Sequence, residues 1–224
     1  MTAAVLAPSR RSFLAGGASL AALSLAGCAT QRMQQTPLAP PQFSQYYLTM
    51  YGPLPDEKFP VPAIDLTKLD PDMFRTEVPD PTGERPGTIV VNTSERHLYL
   101  VQEGGQAIRY GVGIGKEGFA WAGKAKVGRK AEWPTWTPPK EMQDRQPETR
   151  QYANGMPPGL TNPLGARAMY IYQDGRDTLY RLHGTLEVWS IGQAVSSGCV
   201  RLLFHDVIDL YGRCPVGTPI VVNQ

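Results

Sequence analysis

Residues 183–201 have the sequence HGTLEVWSIGQAVSSGCVR, which places His183 and Cys199 on one short segment. A neighbouring imidazole is the usual means of making a cysteine thiol nucleophilic near neutral pH. Gly198 precedes the cysteine, and a glycine there lets backbone N–H groups turn toward an attacked carbonyl, as an oxyanion hole requires. The segment therefore predicts a cysteine nucleophile, Cys199, with a histidine base, His183.

Each of these residue types, taken singly, has an ordinary structural explanation. A free cysteine is often a small buried hydrophobe, and a lone histidine is more often structural than catalytic. The combination favours chemistry, because Gly184 follows the histidine, Gly198 precedes the cysteine and Arg201 follows it. The histidine comes first, which is opposite to the papain-like order. The scattered histidines and cysteines lack zinc-site spacing, so no metal or other cofactor is expected.

The motifs HGT at 183–185 and SSGCVRL at 196–202 resemble the L,D-transpeptidase catalytic domain, or YkuD domain, of bacterial cell-wall enzymes. The family has a histidine two places before the cysteine, where this chain has Ser197. The resemblance covers roughly residues 87–224. Upstream it extends through GTIVVNTSERHLYLV (87–101), RYGVGIGKEGFAW (109–121), AEWPTWTPP (131–139) and NPLGARAMYIY (162–172).

The resemblance implies a mainly β fold, a sandwich-like arrangement of mixed sheets with one short helix. It also implies action on the peptide stems of peptidoglycan. Cys199 would attack the carbonyl of the third residue, a diaminopimelate, of a donor tetrapeptide and release the terminal D-alanine. His183 would serve as the base, oriented by the backbone carbonyl of Gly184. The backbone N–H groups of Gly198 and Cys199 would bind the oxyanion.

Two further residues are expected to contact the substrate. Arg201 either binds a substrate carboxylate or buttresses its loop through an internal ion pair, and both alternatives stay open. Ser197 is assigned to substrate contact because it stands where the family has its histidine. The thioester would pass to an amine of a second stem or of a protein, outer-membrane proteins included. Transfer to water would make the enzyme an L,D-carboxypeptidase, and the alternative from another class is a non-catalytic peptidoglycan-binding lipoprotein.

Residues 1–28 are predicted to be an export signal. The motif SRRSFL at 9–14 resembles a twin-arginine signal, and the stretch 13–27 is apolar and uncharged. That stretch is shorter than the ~20 residues that a membrane-spanning helix needs. It ends in LAGC at 25–28, which resembles a lipobox, so Cys28 is the predicted lipidation site. The implied location is the periplasm with a lipid anchor in the outer membrane, and simple secretion is the alternative.

Residues 29–86 are predicted to form a proline-rich tether and arm, since they hold eleven of the 21 prolines. The composition up to about residue 44 is typical of a flexible tether. Beyond it, large apolar residues recur more often than a disordered linker allows, so we expect an extended arm packed on the catalytic domain. These residues are Tyr46, Tyr47, Leu48, Met50, Tyr51, Phe59, Val61, Ile64, Leu66, Leu69 and Phe74.

Residues 87–224 are predicted to form the catalytic domain. A short helix is expected at 207–211, and the long polar segment 140–163 is either a lid over the active site or an exposed loop. Apolar and β-branched runs predict strands. They lie at 88–91, 97–101, 107–114, 169–172, 179–182 and 218–222.

The remaining histidines and the third cysteine are assigned structural roles. His97 is expected on a surface or edge face of its strand, and His205, with Asp206, at the exposed start of the short helix. Cys214 stands beside a proline with no polar company and is expected to be an unreactive thiol.

Length and composition limit the alternatives. At 224 residues the chain can hold one ordinary domain with appendages, and 42% hydrophobic residues suit a globular core. The 21 prolines and 23 glycines favour a loop-rich, β-dominated domain. A net charge of +2 is too small to argue for nucleic acid as a partner.

Overall fold

The structure, a computed structural model, describes residues 43–115, 122–196 and 198–223. The predicted signal peptide with its lipidation site Cys28, the first part of the tether, and Ser197 lie outside the described residues. No helix among the described residues is long and apolar enough to cross a membrane.

The described residues form eleven β-strands. Side chains along the whole of the strand at His97–Val101 are buried, as expected for a strand that is covered on both faces. The strands are β1 (Thr76–Pro79), β2 (Ile89–Asn92), β3 (His97–Val101), β4 (Gln106–Gly111), β5 (Ile114–Gly115), β6 (Gly123–Glu132), β7 (Arg167–Gln173), β8 (Arg176–Thr185), β9 (Ala194–Ser196), β10 (Val200–Leu203) and β11 (Pro219–Asn223).

Nine of these strands form one mixed sheet in the order β1-β4-β3-β2-β11-β6-β7-β8-β10. The pairs β2–β11 and β8–β10 are parallel, and the other neighbours are antiparallel. The short strands β5 and β9 pair in parallel as a separate two-stranded sheet. The mainly β fold with a mixed sheet is therefore confirmed.

The nine-stranded sheet curves, so that its edge strand β10 meets the chain just after β4, near the opposite edge of the sheet. Gly113, just after β4, exchanges both backbone hydrogen bonds with Arg201 of the edge strand β10, at 2.9 and 2.8 Å. Side chains from strands all along the sheet consequently meet in one core, which accounts for the sandwich-like character. That core includes Ile89, Val91, Leu98, Leu100, Ile108, Tyr110, Val127, Met169, Ile171, Leu182, Val200, Leu202, Ile220 and Val222.

The described residues hold three short α-helices, where the sequence led us to expect one. The predicted helix at 207–211 is α3, which spans Phe204–Arg213. Two six-residue helices, α1 (Gln45–Met50) and α2 (Lys140–Arg145), are additional. Helix α3 buries Val207 and Leu210 in the main core and packs against β7, β8 and β10.

The arm packs on the chain segment that surrounds the catalytic motif. Its apolar residues form a second core with Ile191, which precedes β9, and with Leu203, the last residue of β10. Several aromatic rings of the arm contact one another there, with Tyr47 and Phe74 at a centroid distance of 4.8 Å. The arm residues buried in this core are Tyr51, Ile64, Leu66, Leu69, Met73 and Phe74.

The arm also explains why the predictions for two histidines were wrong. His97 is buried because its Nε2 lies 3.2 Å from the backbone carbonyl of Asp72 in the arm. His205 is buried because its Nε2 lies 2.6 Å from the carbonyl of Gly52. Asp206 does not cap α3 either, since Leu203 holds the N-cap position and Asp206 is fully buried. Contacts with a segment so far away in sequence are not visible in the local pattern.

Candidate active site

His183 lies near the end of β8 and is buried, with 6% of its surface exposed. Its strand runs between β7 and β10, where its register partners are Ala168 and Arg201. The ring Nδ1 lies 3.1 Å from the backbone carbonyl of Gly184. A carbonyl can only accept, so Nδ1 carries the proton in the neutral ring and Nε2 keeps its lone pair. The tautomer that this contact favours leaves Nε2 free to accept a proton.

The surroundings of His183 keep the ring uncharged at neutral pH. Burial lowers its pKa to about 4, since a charged imidazolium loses water on desolvation. The carbonyls of Gly184 and Pro163 oppose this shift, whereas the guanidinium groups of Arg201 and Arg181 add to it. The neutral form, which can accept a proton, is therefore the resting form.

Cys199 lies in the turn immediately before β10 and is partly exposed. The parallel register pairs Val200 with Leu182 and Arg201 with His183, so the turn brings Cys199 beside Arg181. Burial raises the pKa of the thiol, while a hydrogen bond from the Arg181 backbone and the charges of Arg181 and Arg201 act in the opposite direction. At neutral pH the resting site thus pairs a thiol with a neutral imidazole.

A hydroxyl group that the sequence analysis did not single out shapes this turn. Ser196, which is buried, donates its Oγ–H to the carbonyl of Cys199 at 2.7 Å. The N–H of Gly198 donates to the same Oγ at 3.3 Å. Gly198 has φ of 127°, a conformation that favours glycine. To bind an oxyanion as predicted, the Gly198 N–H would have to give up its hydrogen bond to Ser196 Oγ and donate to a substrate oxygen instead.

Arg201 forms an internal ion pair. Its Nη1 lies 2.6 Å from Oε2 of Glu187, in the loop that joins β8 to β9. Of the two roles that the sequence left open for Arg201, the structure shows the internal ion pair. Ser197, the other predicted substrate contact, lies outside the described residues.

A cavity of about 620 Å³ opens at Cys199. Much of its lining comes from residues 133–166, the excursion between β6 and β7 that we call the wall segment. This segment includes the predicted lid at 140–163, and it has structure of its own in α2 and a 3-10 helix at Pro147–Tyr152. Residues of the predicted lid thus border the cavity at Cys199. Lining residues from the wall segment include Trp136, Glu141, Met142, Arg145 and Leu164.

Arg181 lines the cavity beside Cys199 and is fixed in place. Its guanidinium forms two hydrogen bonds with the carboxylate of Asp177, at 2.6 and 2.8 Å. It also lies 4.3 Å from the ring centroid of Tyr170, and the guanidinium of Arg129 lies 4.0 Å from the same centroid. The fork geometry of arginine suits such a bidentate and stacked arrangement. Nothing in the local sequence pattern had marked Arg181.

Cys214 has the surroundings of an unreactive thiol. It is 1% exposed within the main core, and burial raises its pKa to about 11. Because the thiolate is the nucleophilic form, this cysteine is much less reactive than an ordinary thiol at neutral pH. Within the described parts of the chain, no group of three or more histidine, cysteine or carboxylate side chains is arranged to hold a metal ion.

Comparisons with known proteins identify the class to which this fold and site belong. The family model of the L,D-transpeptidase catalytic domain, YkuD, matches residues 86–222. That match covers more than half of the chain, and the chain belongs to this family.

Particular relatives agree with this assignment. Probable L,D-transpeptidase YbiS of Escherichia coli (strain K12) is 38% identical over 138 residues, which are 59% of this chain and 43% of that protein. Probable L,D-transpeptidase ErfK/SrfK of the same strain is 36% identical over 143 residues, or 61% and 44%. The matched stretch thus spans less than half the length of either relative.

A solved structure from Brucella melitensis, described as a probable carnitine operon oxidoreductase caia, is 45% identical to this chain. It covers 71% of this chain and 99% of its own, with a TM-score of 0.49.

Proposed function

We propose that this protein is an L,D-transpeptidase that acts on peptidoglycan through a cysteine thioester. The observation that carries the proposal is the geometry of His183. Its Nδ1 is bound to the Gly184 carbonyl, and its strand lies next to the turn that holds Cys199. The cavity at that cysteine has room for a peptide stem.

The first half of the reaction would form the thioester. The Cys199 thiol gives its proton to Nε2 of His183 while the sulfur attacks the carbonyl carbon of the third residue, a diaminopimelate. The resulting oxyanion is held by backbone N–H groups at Gly198 and Cys199. The imidazolium then gives its proton to the nitrogen of the leaving D-alanine as the carbon–nitrogen bond breaks.

The second half would reverse these roles. An acceptor amine attacks the thioester carbonyl, and His183 takes a proton from that amine. The carbon–sulfur bond then breaks, and the sulfur of Cys199 recovers the proton from His183. Because thiol and imidazole both rest in the neutral state, we expect each proton transfer to accompany bond formation or cleavage.

The charges in the cavity suit a peptide stem of this kind. Arg145 supplies positive charge and Glu141 supplies negative charge along the lining, where the charge of Arg181 is paired with Asp177. A stem peptide that contains diaminopimelate carries carboxylates and a free amine, so the positive and the negative charges of the cavity each have a counterpart on the substrate. Arg201 would act at a distance in this proposal, by shaping the turn and by its field, since Glu187 occupies its guanidinium. Ser197 remains a proposed substrate contact.

Several outcomes remain as alternatives for the acyl group. A second stem as acceptor gives a cross-link, an outer-membrane protein gives covalent attachment to the wall, and water makes the protein an L,D-carboxypeptidase. A non-catalytic peptidoglycan-binding lipoprotein is the alternative from another class. All of these place the protein in the periplasm, with a lipid at Cys28 as the proposed anchor in the outer membrane.

The deciding experiment is to incubate the purified protein with tetrapeptide muropeptides and to identify the products by mass spectrometry. Loss of D-alanine with formation of dimers supports transpeptidation, and tripeptide monomers alone support the carboxypeptidase. Cys199→Ala should abolish both products, whereas the matched Cys214→Ala change should not. Unchanged tetrapeptide with the native protein would contradict the enzymatic proposal.

A further inference from the structure

Glu57, in the arm, binds both ends of the wall segment at once. Trp133, its first residue, donates its Nε1–H to Oε2 of Glu57 at 2.9 Å. Arg167, which follows its last residue and begins β7, donates to Oε2 and Oε1 at 2.9 and 2.7 Å. A carboxylate more than seventy residues away in sequence thus closes the base of the segment that borders the catalytic cavity.

This contact is partly buried and reinforced by packing. The side chains of Arg167 and Glu57 are 10% and 16% exposed, so surface water competes little for the pair. Burial alone would raise the pKa of Glu57, but the hydrogen bonds from Arg167 and Trp133 outweigh it and lower that pKa. The ring of Phe59, also in the arm, packs edge-on against Trp133 at 4.9 Å. The carboxylate therefore stays ionised and paired.

Trp133 needs such support because its backbone is strained. Its φ is 43°, in the left-handed region that residues with a side chain seldom adopt. Its backbone N–H donates to the carbonyl of Ala166 at 2.8 Å, which ties the two ends of the wall segment together. Strain of this kind persists where the surroundings hold the residue in place, and Glu57 and Phe59 supply those surroundings.

The far end of the wall segment contacts the catalytic strand. The carbonyl of Leu164 accepts the N–H of Gly184 at 3.2 Å. The carbonyl of Pro163 lies close enough to the ring of His183 to stabilise its protonated form and raise its pKa. Gly165 has φ of 64° and lies so close to Gly184 that a Cβ there would stand 2.7 Å from the Gly184 carbonyl oxygen. A shift at the base of the segment would therefore move the groups around His183.

We propose that Glu57 is a positioning residue: by clamping Trp133 and Arg167 it fixes the wall segment and, through residues 163–165, the ring of His183. The expected effect of Glu57 on the reaction rate rests on the proposed function, whereas its expected effect on the position of the wall segment and of His183 does not. The arm is then part of the machinery that shapes the active site, and it does more than connect the domain to a tether.

The test compares the full chain, purified in mild detergent, with Glu57→Gln, which keeps the shape but removes the charge. Trp133→Phe keeps an aromatic ring and removes the N–H donor together with part of the indole, so it serves as a second variant if the first folds poorly. Asp65→Asn is the matched control, because Asp65 is an exposed arm carboxylate that caps a 3-10 helix and pairs with Lys68. Three readouts apply: ring ¹⁵N signals of the histidines, amide hydrogen exchange, and the rate of acylation of Cys199 by a carbapenem.

Both test variants should shift the ring signals of His183 and leave those of His97 in place. Amide exchange should quicken in the wall segment while the central strands keep their protection. Acylation should slow by up to ~10²-fold, the scale of a small misplacement of reacting groups. Asp65→Asn should match the native chain in all three readouts.

Native His183 signals and native exchange in both test variants would overturn the proposal. So would faster exchange spread evenly over the whole domain, because that pattern reports loss of stability alone. If the native chain is not acylated, the proposed function fails, and the ring signals with the exchange data still decide the role of Glu57.

Discussion

Arg201 on β10 is the parallel register partner of His183 on β8, and its guanidinium is tied to Glu187 at 2.6 Å. The positive charge beside the ring disfavours the imidazolium and contributes to the low pKa of His183. The arginine is therefore part of the electrostatics of the base, although it belongs to a structural ion pair.

Replacing Arg201 by glutamine should raise the pKa of His183, because a positive charge near the ring is removed. Titration of the ring ¹⁵N signals measures this shift directly. Arg213→Gln is the matched control, since it breaks another arginine–carboxylate pair, with Asp209 at 2.8 Å, on the far end of α3. An unchanged titration in the Arg201 variant would show that Glu187 cancels the field of the arginine.

Cys199 should be modified selectively over Cys214. A carbapenem, which acylates enzymes of this family, is expected to add its mass to the peptide that contains Cys199. Cys214 is buried in the core with a pKa raised to about 11, so it should stay unlabelled in the folded protein. Peptide mapping by mass spectrometry checks both statements, and adduct on Cys214 alone would contradict the assignment of the nucleophile.

The acylation rate should fall as the pH decreases toward about 4, the pKa of His183. The sign follows because only the neutral ring can accept the thiol proton, and the ring becomes protonated below that value. From pH 6 to 8 the His183 titration should leave no inflection, unlike a base of ordinary pKa near 6.5. Stopped-flow acylation at a series of pH values measures the profile.

His183→Ala should depress the rate by ~10²-fold or more between pH 6 and 8, which is the usual contribution of a positioned base, and the difference should shrink toward pH 4 as the native ring becomes protonated. His97→Ala should leave the rate per folded molecule within a few-fold and instead reduce stability. An inflection near pH 6.5 in the native enzyme would contradict the low pKa of His183.

Asp206→Asn should remove one loss of stability that the native protein undergoes as the pH rises toward 7. Asp206 is fully buried, and burial raises its pKa to about 7, against the opposing effects of Arg75 and Tyr51. The folded state therefore binds the proton more tightly than the unfolded state does. The stability that this proton contributes is complete below pH ~4 and is lost as the pH rises through 7, at about 1.4 kcal/mol for each unit of pKa difference.

The measurement for Asp206 is urea unfolding of both proteins between pH 5 and 8. The asparagine variant should gain stability relative to the native protein as the pH rises. The histidines contribute the opposite slope in both proteins, because burial lowers the pKa of His97, His183 and His205. Comparison of the two proteins cancels that slope, and a constant difference between them would contradict the prediction.

Cys28→Ala should change where the enzyme works and leave its chemistry unaltered. Sixteen flexible residues at 29–44 would span roughly 20–25 Å on average. Such a tether would keep the domain near membrane-bound acceptors and raise their effective concentration. The variant, exported without lipid, should keep full activity on soluble muropeptides and lose products with membrane-bound acceptors in cells. Equal product profiles in cells would contradict the tethering prediction.

The sequence was informative where function depends on neighbouring residues. The segment 183–201 brings its own histidine, cysteine and glycines together, and an apolar run predicted the strand His97–Val101 with correct bounds. The expectation that the arm packs on the domain also agrees with the structure, because isolated aromatic clusters need a surface to cover them.

The sequence was least informative where contacts join distant parts of the chain. His97 and His205 looked exposed because the arm residues that cover them are 25 and 153 positions away. The clamp between Glu57 and Arg167 spans 110 positions. Such pairs depend on strand order and on the path of the arm, and neither can be derived from periodicity or from turn residues.

The position of β11 has a consequence for the order in which the molecule can be assembled. This strand, at Pro219–Asn223, pairs on one side with β2 and on the other with β6. It therefore separates the group β1-β4-β3-β2 from the group that carries the catalytic strands β8 and β10. During synthesis the two groups emerge from the ribosome before the strand that joins them. A polypeptide that stops short of residue 219 would leave two sheets with open edges, prone to pair with other chains, in place of a partly active enzyme.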